Sequence, residues 1–348
     1  MSCQASLTSP RFPADRNSRQ DHRGSNAMKV VFRSLALIAA LLVSGAAAAD
    51  QYPSKTVKVI VPFAAGGPTD VVGRMVAQAL SERLKQTFYV ENVAGAGGNT
   101  GMALATRSPG DGYTLLFASS SIVVNPSLYQ QVPYDFHKDF IPITKIGAAP
   151  NALIVHPALN IKSMKDLVTF LKANAGKYTF ASPGMGTTPS LSVELFRQTF
   201  GLDFAVTQFK SGGLAVQSVL GQHTPMSFQA IPPATALIKE GKLVALAVTA
   251  AKRVSALPDV PTFDELGTKG QEAETMTAAF APAGTPKAVV DLLQREIAAI
   301  VQQPEFKSKL SALGVEPGGM DAAAFKASCD QEIAKWRKVI TNAKIPRI

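Results

Sequence analysis

The residues best suited to chemistry lie in three glycine-rich segments. They are Phe63–Ala64–Ala65–Gly66–Gly67–Pro68–Thr69, Gly95–Ala96–Gly97–Gly98–Asn99–Thr100–Gly101 and Pro183–Gly184–Met185–Gly186–Thr187–Thr188. Glycine lets backbone N–H groups come close to a ligand. At a helix start those groups are unpaired and carry about half a positive charge. The hydroxyls of Thr69, Thr187, Thr188 and Ser190 accompany them. The chemistry on offer is capture of an anion by neutral donors, since neither Phe63–Thr69 nor Pro183–Thr188 contains Arg or Lys.

Catalytic alternatives fail where the sequence tests them. Gly95–Ala96–Gly97 opens like a dinucleotide fingerprint, but its sixth position is Thr100 and not glycine. Neither a GxxxxGK[ST] phosphate loop nor a GxSxG nucleophile elbow occurs. His22, His137, His156 and His223 are scattered without ligand spacing, and Cys3 and Cys329 are the only cysteines. These counts exclude a disulfide framework or a cysteine zinc site and leave no expected metal or cofactor. The chain reads as a binder and not an enzyme.

The loops need elements to hold them, and each follows a strand pattern and precedes a helix pattern. Val57–Pro62 is a β-branched run leading into a helix near Val71–Leu84, with Thr69 or Gly67 as candidate cap. Phe88–Asn92 precedes the second loop, and Tyr113–Ala118 ends in Ser119–Ser120–Ser121. Ala152–His156 is followed by a helix from Ser163 to Ala173, and Tyr178–Ser182 enters the third loop. Thr188 as N-cap with Pro189 first in the helix starts a segment through Phe200. Val206–Phe209 leads to Ser211–Gly212–Gly213 and a helix to Leu220, and Val244–Thr249 is another strand. Helices near Thr285–Val301, Glu305–Leu313 and Asp321–Thr341 close the chain. Repeated strand–loop–helix units predict an α/β protein with mainly parallel sheets. Ligands of such sheets sit at the carboxyl ends of strands. That placement adds Ser119, Ser120, Ser182, Phe209 and Gly212 to the candidate site.

The 348 residues are 46% hydrophobic and 17% charged, which suits one large or two ordinary packed domains. Met28–Ala49 has a basic start (Lys29, Arg33), an apolar stretch (Leu35–Val43) and an Ala47–Ala48–Ala49 end, the pattern of a cleaved secretory signal. Periplasmic export with Asp50 as first mature residue is expected. Residues 1–27 read as an extra extension, with Met1 and Met28 both open as start. Removing 1–49 lowers the net charge from +10 to about +6, a mild field attractive to small anions. The basic residues are dispersed and lack interleaved aromatics, so no nucleic-acid partner is expected.

The string Val59–Ile60–Val61–Pro62–Phe63–Ala64–Ala65–Gly66–Gly67–Pro68–Thr69–Asp70 resembles the opening of Bug/TctC-type solute receptors. These are the extracytoplasmic subunits of tripartite tricarboxylate transporters. Further matches follow in order. They include Gly95–Asn99, Asp111–Leu116, Asn125–Pro126–Ser127–Leu128–Tyr129, Ala245–Thr249, Leu257–Thr262 and Ala281–Pro286. The resemblance covers residues 51–348. It implies a two-lobed periplasmic binding protein of type II topology with its ligand cleft between lobes. Lobe 1 would be residues 50–147 with 252–348, and lobe 2 residues 148–251, hinged near Ile146–Asn151 and Thr249–Ser255. It also implies a small organic carboxylate as ligand, large and small membrane subunits as partners, and Asn125 as a site residue.

One carboxylate end would then be held by amides of Phe63, Ala65, Gly66, Gly67 and Thr69, and the other end by Gly186, Thr187, Thr188 and Ser190. The chain departs from the family in its second lobe. Ser190 stands where a histidine is usual, and Leu214 where proline is common. A receptor of the same fold that signals occupancy to a membrane partner is the alternative, separable by whether the membrane subunits are encoded nearby.

Overall fold

β1 (Val57–Val61) reads VKVIV and is buried apart from the partly covered Lys58. A β-branched run covered on both faces belongs inside a parallel sheet. It pairs in parallel with β2 (Phe88–Asn92) and β3 (Thr114–Ser119). The computed structural model describes residues 52–348; the extension and the signal segment lie outside the described residues.

The remaining strands are β4 (Phe140–Val155), β5 (Thr179–Ser182), β6 (Ala205–Gln208), β7 (Met226–Ala230), β8 (Val244–Val248), β9 (Glu274–Pro282) and β10 (Glu316–Pro317). Their order is β2-β1-β3-β9-β4-β7-β5-β6, with β8 and β10 also pairing with β4. The expectation of mainly parallel sheets is corrected here. Among the described residues, parallel pairs of strands are confined to the flanks, β2-β1-β3 and β7-β5-β6. Every pair involving β4 or β9 is antiparallel.

The cause is β4, which runs for 16 residues, about 50 Å at roughly 3.3 Å per residue. Its first part, Phe140–Pro150, pairs with β9, and Asn151–Val155 pairs with β7 and β8. The sequence pattern predicts a strand only over its last residues, from Ala152. Pro142, Gly147 and Pro150 interrupt the sequence pattern, and the strand absorbs two of them at register shifts between Pro142/Thr144 and Lys145/Gly147. β7 and β9 have no counterpart among the strands expected from sequence.

Each flank has its own apolar core. Phe136, Phe140, Phe280 and Phe325 pack beneath one, and Phe180, Phe196, Phe228 and Phe263 beneath the other. Where the two meet, Thr249 N–H donates to the Asn151 carbonyl at 2.8 Å and the Asn151 N–H donates to Thr249 Oγ1 at 2.9 Å. The Thr275 hydroxyl donates to Asn151 Oδ1 at 3.0 Å, and Asn151 Nδ2 donates to Ser192 Oγ at 3.1 Å. These side chains are buried, so the join is a satisfied polar network and not apolar packing.

Candidate functional site

Three helices begin on one cavity. Pro68–Leu84 is capped by Gly67 without a side-chain bond, with Pro68 in its first turn. Thr188–Phe200 is capped by Thr187, whose side chain accepts from the Ser190 N–H at 3.4 Å. This corrects the expected cap at Thr188, and Pro189 becomes the second helical residue. An N-cap oxygen reaches the N–H three positions on, and only Thr187 stands three before Ser190. Gly212–Leu220 is capped by Ser211, which accepts from the Leu214 N–H at 3.3 Å.

The cavity has a volume of about 20 Å³, room for little more than one water. Its wall includes Phe63, Gly67, Thr69, Ser119, Thr187 and Gly212, six residues named from sequence. No ionisable side chain lines it. Thr69 and Thr187 are buried, and the first backbone bonds of their helices are Val71 N–H to Gly67 O and Leu191 N–H to Thr187 O. N–H groups ahead of those bonds have no intrahelical partner. These walls therefore present amides and hydroxyls from both flanks of the sheet, the donor set that suits an anion.

The other sequence candidates do not reach this wall. Gly66 N–H donates to Asp70 Oδ2 at 2.9 Å, and Ala65 carbonyl accepts from Ser211 Oγ at 3.4 Å. Both residues shape the loop. Ser120 Oγ accepts from Met276 N–H at 3.0 Å and donates to Glu274 O at 3.2 Å, tying β3 to β9. The Thr188 hydroxyl is 2.6 Å from that of Thr275, which places it in the buried network. Ser190 is buried but not on the wall. Ser182 is fully buried, with no partner for its hydroxyl.

Phe209 lines a neighbouring cavity with Phe63, Gly97 and Met185. Beside it Asn125 Nδ2 donates to Gly97 O at 3.1 Å and to Asn99 Oδ1 at 2.7 Å. A Cβ on Gly186 would stand 2.0 Å from Asn125 Oδ1, so glycine is what lets these loops meet. The loops also touch through Ala64 N–H, which donates to Lys210 O at 3.1 Å.

Asp70 fixes the Phe63–Gly67 loop from behind. Burial pushes its carboxyl pKa up, but bonds from Gly66 N–H, Arg74 and Asn92 outweigh that and hold it below the ordinary 3.8. Arg74 Nε stands 3.0 Å and Asn92 Nδ2 2.8 Å from Oδ1. Because Arg74 balances this carboxylate, the loop in front of it remains compatible with an anion.

Two polar wall residues are missing from the sequence candidates, Gln229 on β7 and Thr275 on β9. Both sit on unread strands. The one signal was an amide within the apolar run Met226–Ile231.

A sheet of this order, with helix starts from both flanks facing an uncharged cavity, defines a mixed α/β periplasmic-binding-protein fold. Solved structures agree. An R. palustris protein with adipate superimposes with a TM-score of 0.83 at 31% identity, covering 85% of this chain and 100% of that one. MatC from Rhodopseudomonas palustris with bound malate gives 0.79 at 27%, covering 83% and 100%. Protein BugT of Bordetella pertussis is 34% identical over 312 residues, 88% of this chain and 96% of that protein. The tripartite tricarboxylate transporter family receptor profile, TctC, matches residues 72–345, and the chain belongs to that family. It is a family of solute-binding receptors and not of enzymes.

Among the described residues, no helix is long and apolar enough to cross a membrane, and no His, Cys, Asp or Glu cluster suits a metal ion.

Proposed function

We propose that this protein captures a small organic carboxylate in the periplasm and delivers it to the large and small membrane subunits of a tripartite tricarboxylate transporter. The observation that carries this reading is the uncharged cavity onto which the helices starting at Pro68, Thr188 and Gly212 open. A buried carboxylate needs several donors, and helix starts supply them without a cationic side chain, each contributing ~0.3–2 kcal/mol. Adipate and malate in the two solved relatives belong to the same chemical class. Thr69 and Gly67 face one end of the solute, and Thr187 and Gly212 the other. Export relies on Met28–Ala49.

Capture closes two lobes, residues 50–147 with 252–348 against 148–251, about the segments joined by Asn151 and Thr249. A thermal-shift screen of carboxylic acids on the exported protein tests the reading. An acid at ~100 times its dissociation constant adds about 2.7 kcal/mol to stability, and X-ray scattering should show a smaller radius of gyration with it. A panel of mono-, di- and tricarboxylates that leaves the melting point unmoved would refute the proposal.

A further inference from the structure

Gln229 is a fully buried amide on the cavity wall, and its carbonyl oxygen Oε1 has no hydrogen-bond partner. Its neighbours fix which way the amide faces. The Ser227 hydroxyl donates to a backbone carbonyl, that of Ala181 or of Phe228. Ser227 Oγ therefore has lone pairs to offer, and Gln229 Nε2 donates to it at 2.7 Å. Turning the amide over would make the Ser227 hydroxyl give up its backbone carbonyl to donate to Oε1, so the arrangement that keeps both bonds sets Oε1 on the far side. That side is the start of the Gly212–Leu220 helix, where a Cβ on Gly212 would lie 3.0 Å from Oε1.

A buried carbonyl oxygen left without a donor is rare in folded proteins. An ionised carboxylate offers only acceptors and cannot satisfy it. An ammonium could donate, but no acidic side chain lines the cavity to balance its charge. A hydroxyl fits, because it can donate to Oε1 while accepting from an N–H at the helix start.

We infer that Gln229 reads a hydroxyl on the solute, so the receptor prefers a hydroxy acid to the deoxy acid of the same carbon skeleton. This rests on the proposed capture of a carboxylate and adds the neutral group that the carboxylate must carry. Sites built to hydrogen-bond a solute hydroxyl reject the analogue lacking it, commonly by far more than about tenfold.

Calorimetry on the exported protein with matched pairs is the test: lactate and propionate, 3-hydroxybutyrate and butyrate, malate and succinate. At least one pair should show a preference of about tenfold or more for the hydroxy acid. In Gln229→Leu and in Gln229→Met, which keeps an unbranched side chain, that ratio should collapse toward one. Thermal melts without ligand establish that each variant is folded. Should neither fold, Gln229→Asn, which keeps an amide but draws it back by one methylene, takes their place with the same expected collapse. Acids that bind in every pair without such a preference overturn the role of Gln229 and leave carboxylate capture standing. A preference that survives both substitutions assigns the reading to another residue and also overturns it. Absence of binding by any acid removes the receptor reading itself, and this inference with it.

Discussion

Replacing Asp70 with alanine tests how the Phe63–Gly67 loop is held. The side chain accepts three bonds, from Gly66 N–H at 2.9 Å, Arg74 Nε at 3.0 Å and Asn92 Nδ2 at 2.8 Å. The three donors differ in what they lose. Arg74 is half exposed, so its guanidinium turns to water at little cost, and surface ion pairs contribute only ~0–1 kcal/mol. Gly66 N–H loses its acceptor, while Asn92 Nδ2 loses one of two bonds and keeps the Phe63 carbonyl at 2.9 Å; each N–H left unpaired in these part-buried positions costs about 1–3 kcal/mol.

Asp70→Ala should therefore destabilise the protein by about 3 kcal/mol, lowering a calorimetric midpoint by about 5–10 °C. Arg74→Ala should cost about 1 kcal/mol or less. The pH dependence has a defined sign. The folded Asp70 carboxyl titrates below its ordinary 3.8, so its contribution is fully present above that value and fades as pH falls through the lower folded one. Urea denaturation followed from pH 6 down to pH 3 should show wild type losing this part of its stability at the acid end, and Asp70→Ala having none to lose there. If Asp70→Ala melts no lower than Arg74→Ala, or its stability falls with acid as steeply as wild type, Asp70 does not hold the loop.

Two other outcomes follow from local geometry. Burial first, and then the nearby Asp330 and Glu332, push the Cys329 thiol up to about 12. At pH 8 iodoacetamide should leave Cys329 unlabelled in the native protein and alkylate it in urea, as peptide mass spectrometry reports; rapid native labelling would contradict the packing. A Cβ on Gly97 would lie 2.0 Å from the Met185 carbonyl, so Gly97→Ala should drive these loops apart by more than about 1 Å to restore ordinary contact distance. Binding should weaken and scattering with saturating solute should show a larger radius of gyration than wild type; parental values of both would show that this contact is not needed for closure.

Much of the local grammar was legible in the sequence because local rules write it. Phe88–Asn92 and the Ser163-capped helix ending at Ala173 lie where pattern and capping chemistry put them. The glycine-rich loops follow strands and start helices as expected, since strand, turn and cap are each set within a few residues. Loop membership, however, did not decide which groups face the cavity. Gly66 N–H looks inward to Asp70, and Thr188 joins Thr275, because each donor goes to the best acceptor that packing brings near.

The sheet's centre was not legible for a different reason. β4 carries two prolines and a glycine that read as turns, and β9 (ETMTAAFAP) and β7 (MSFQA) are short runs without clear alternation. They are strands because partners distant in sequence complete their hydrogen bonds, which no window of neighbouring residues records. Gln229 and Thr275 come to the cavity on those strands. The chain itself therefore determined that backbone amides at helix starts are available to an anion. Tertiary pairing alone decided which helix starts share a cavity, and set an unpartnered amide oxygen among them.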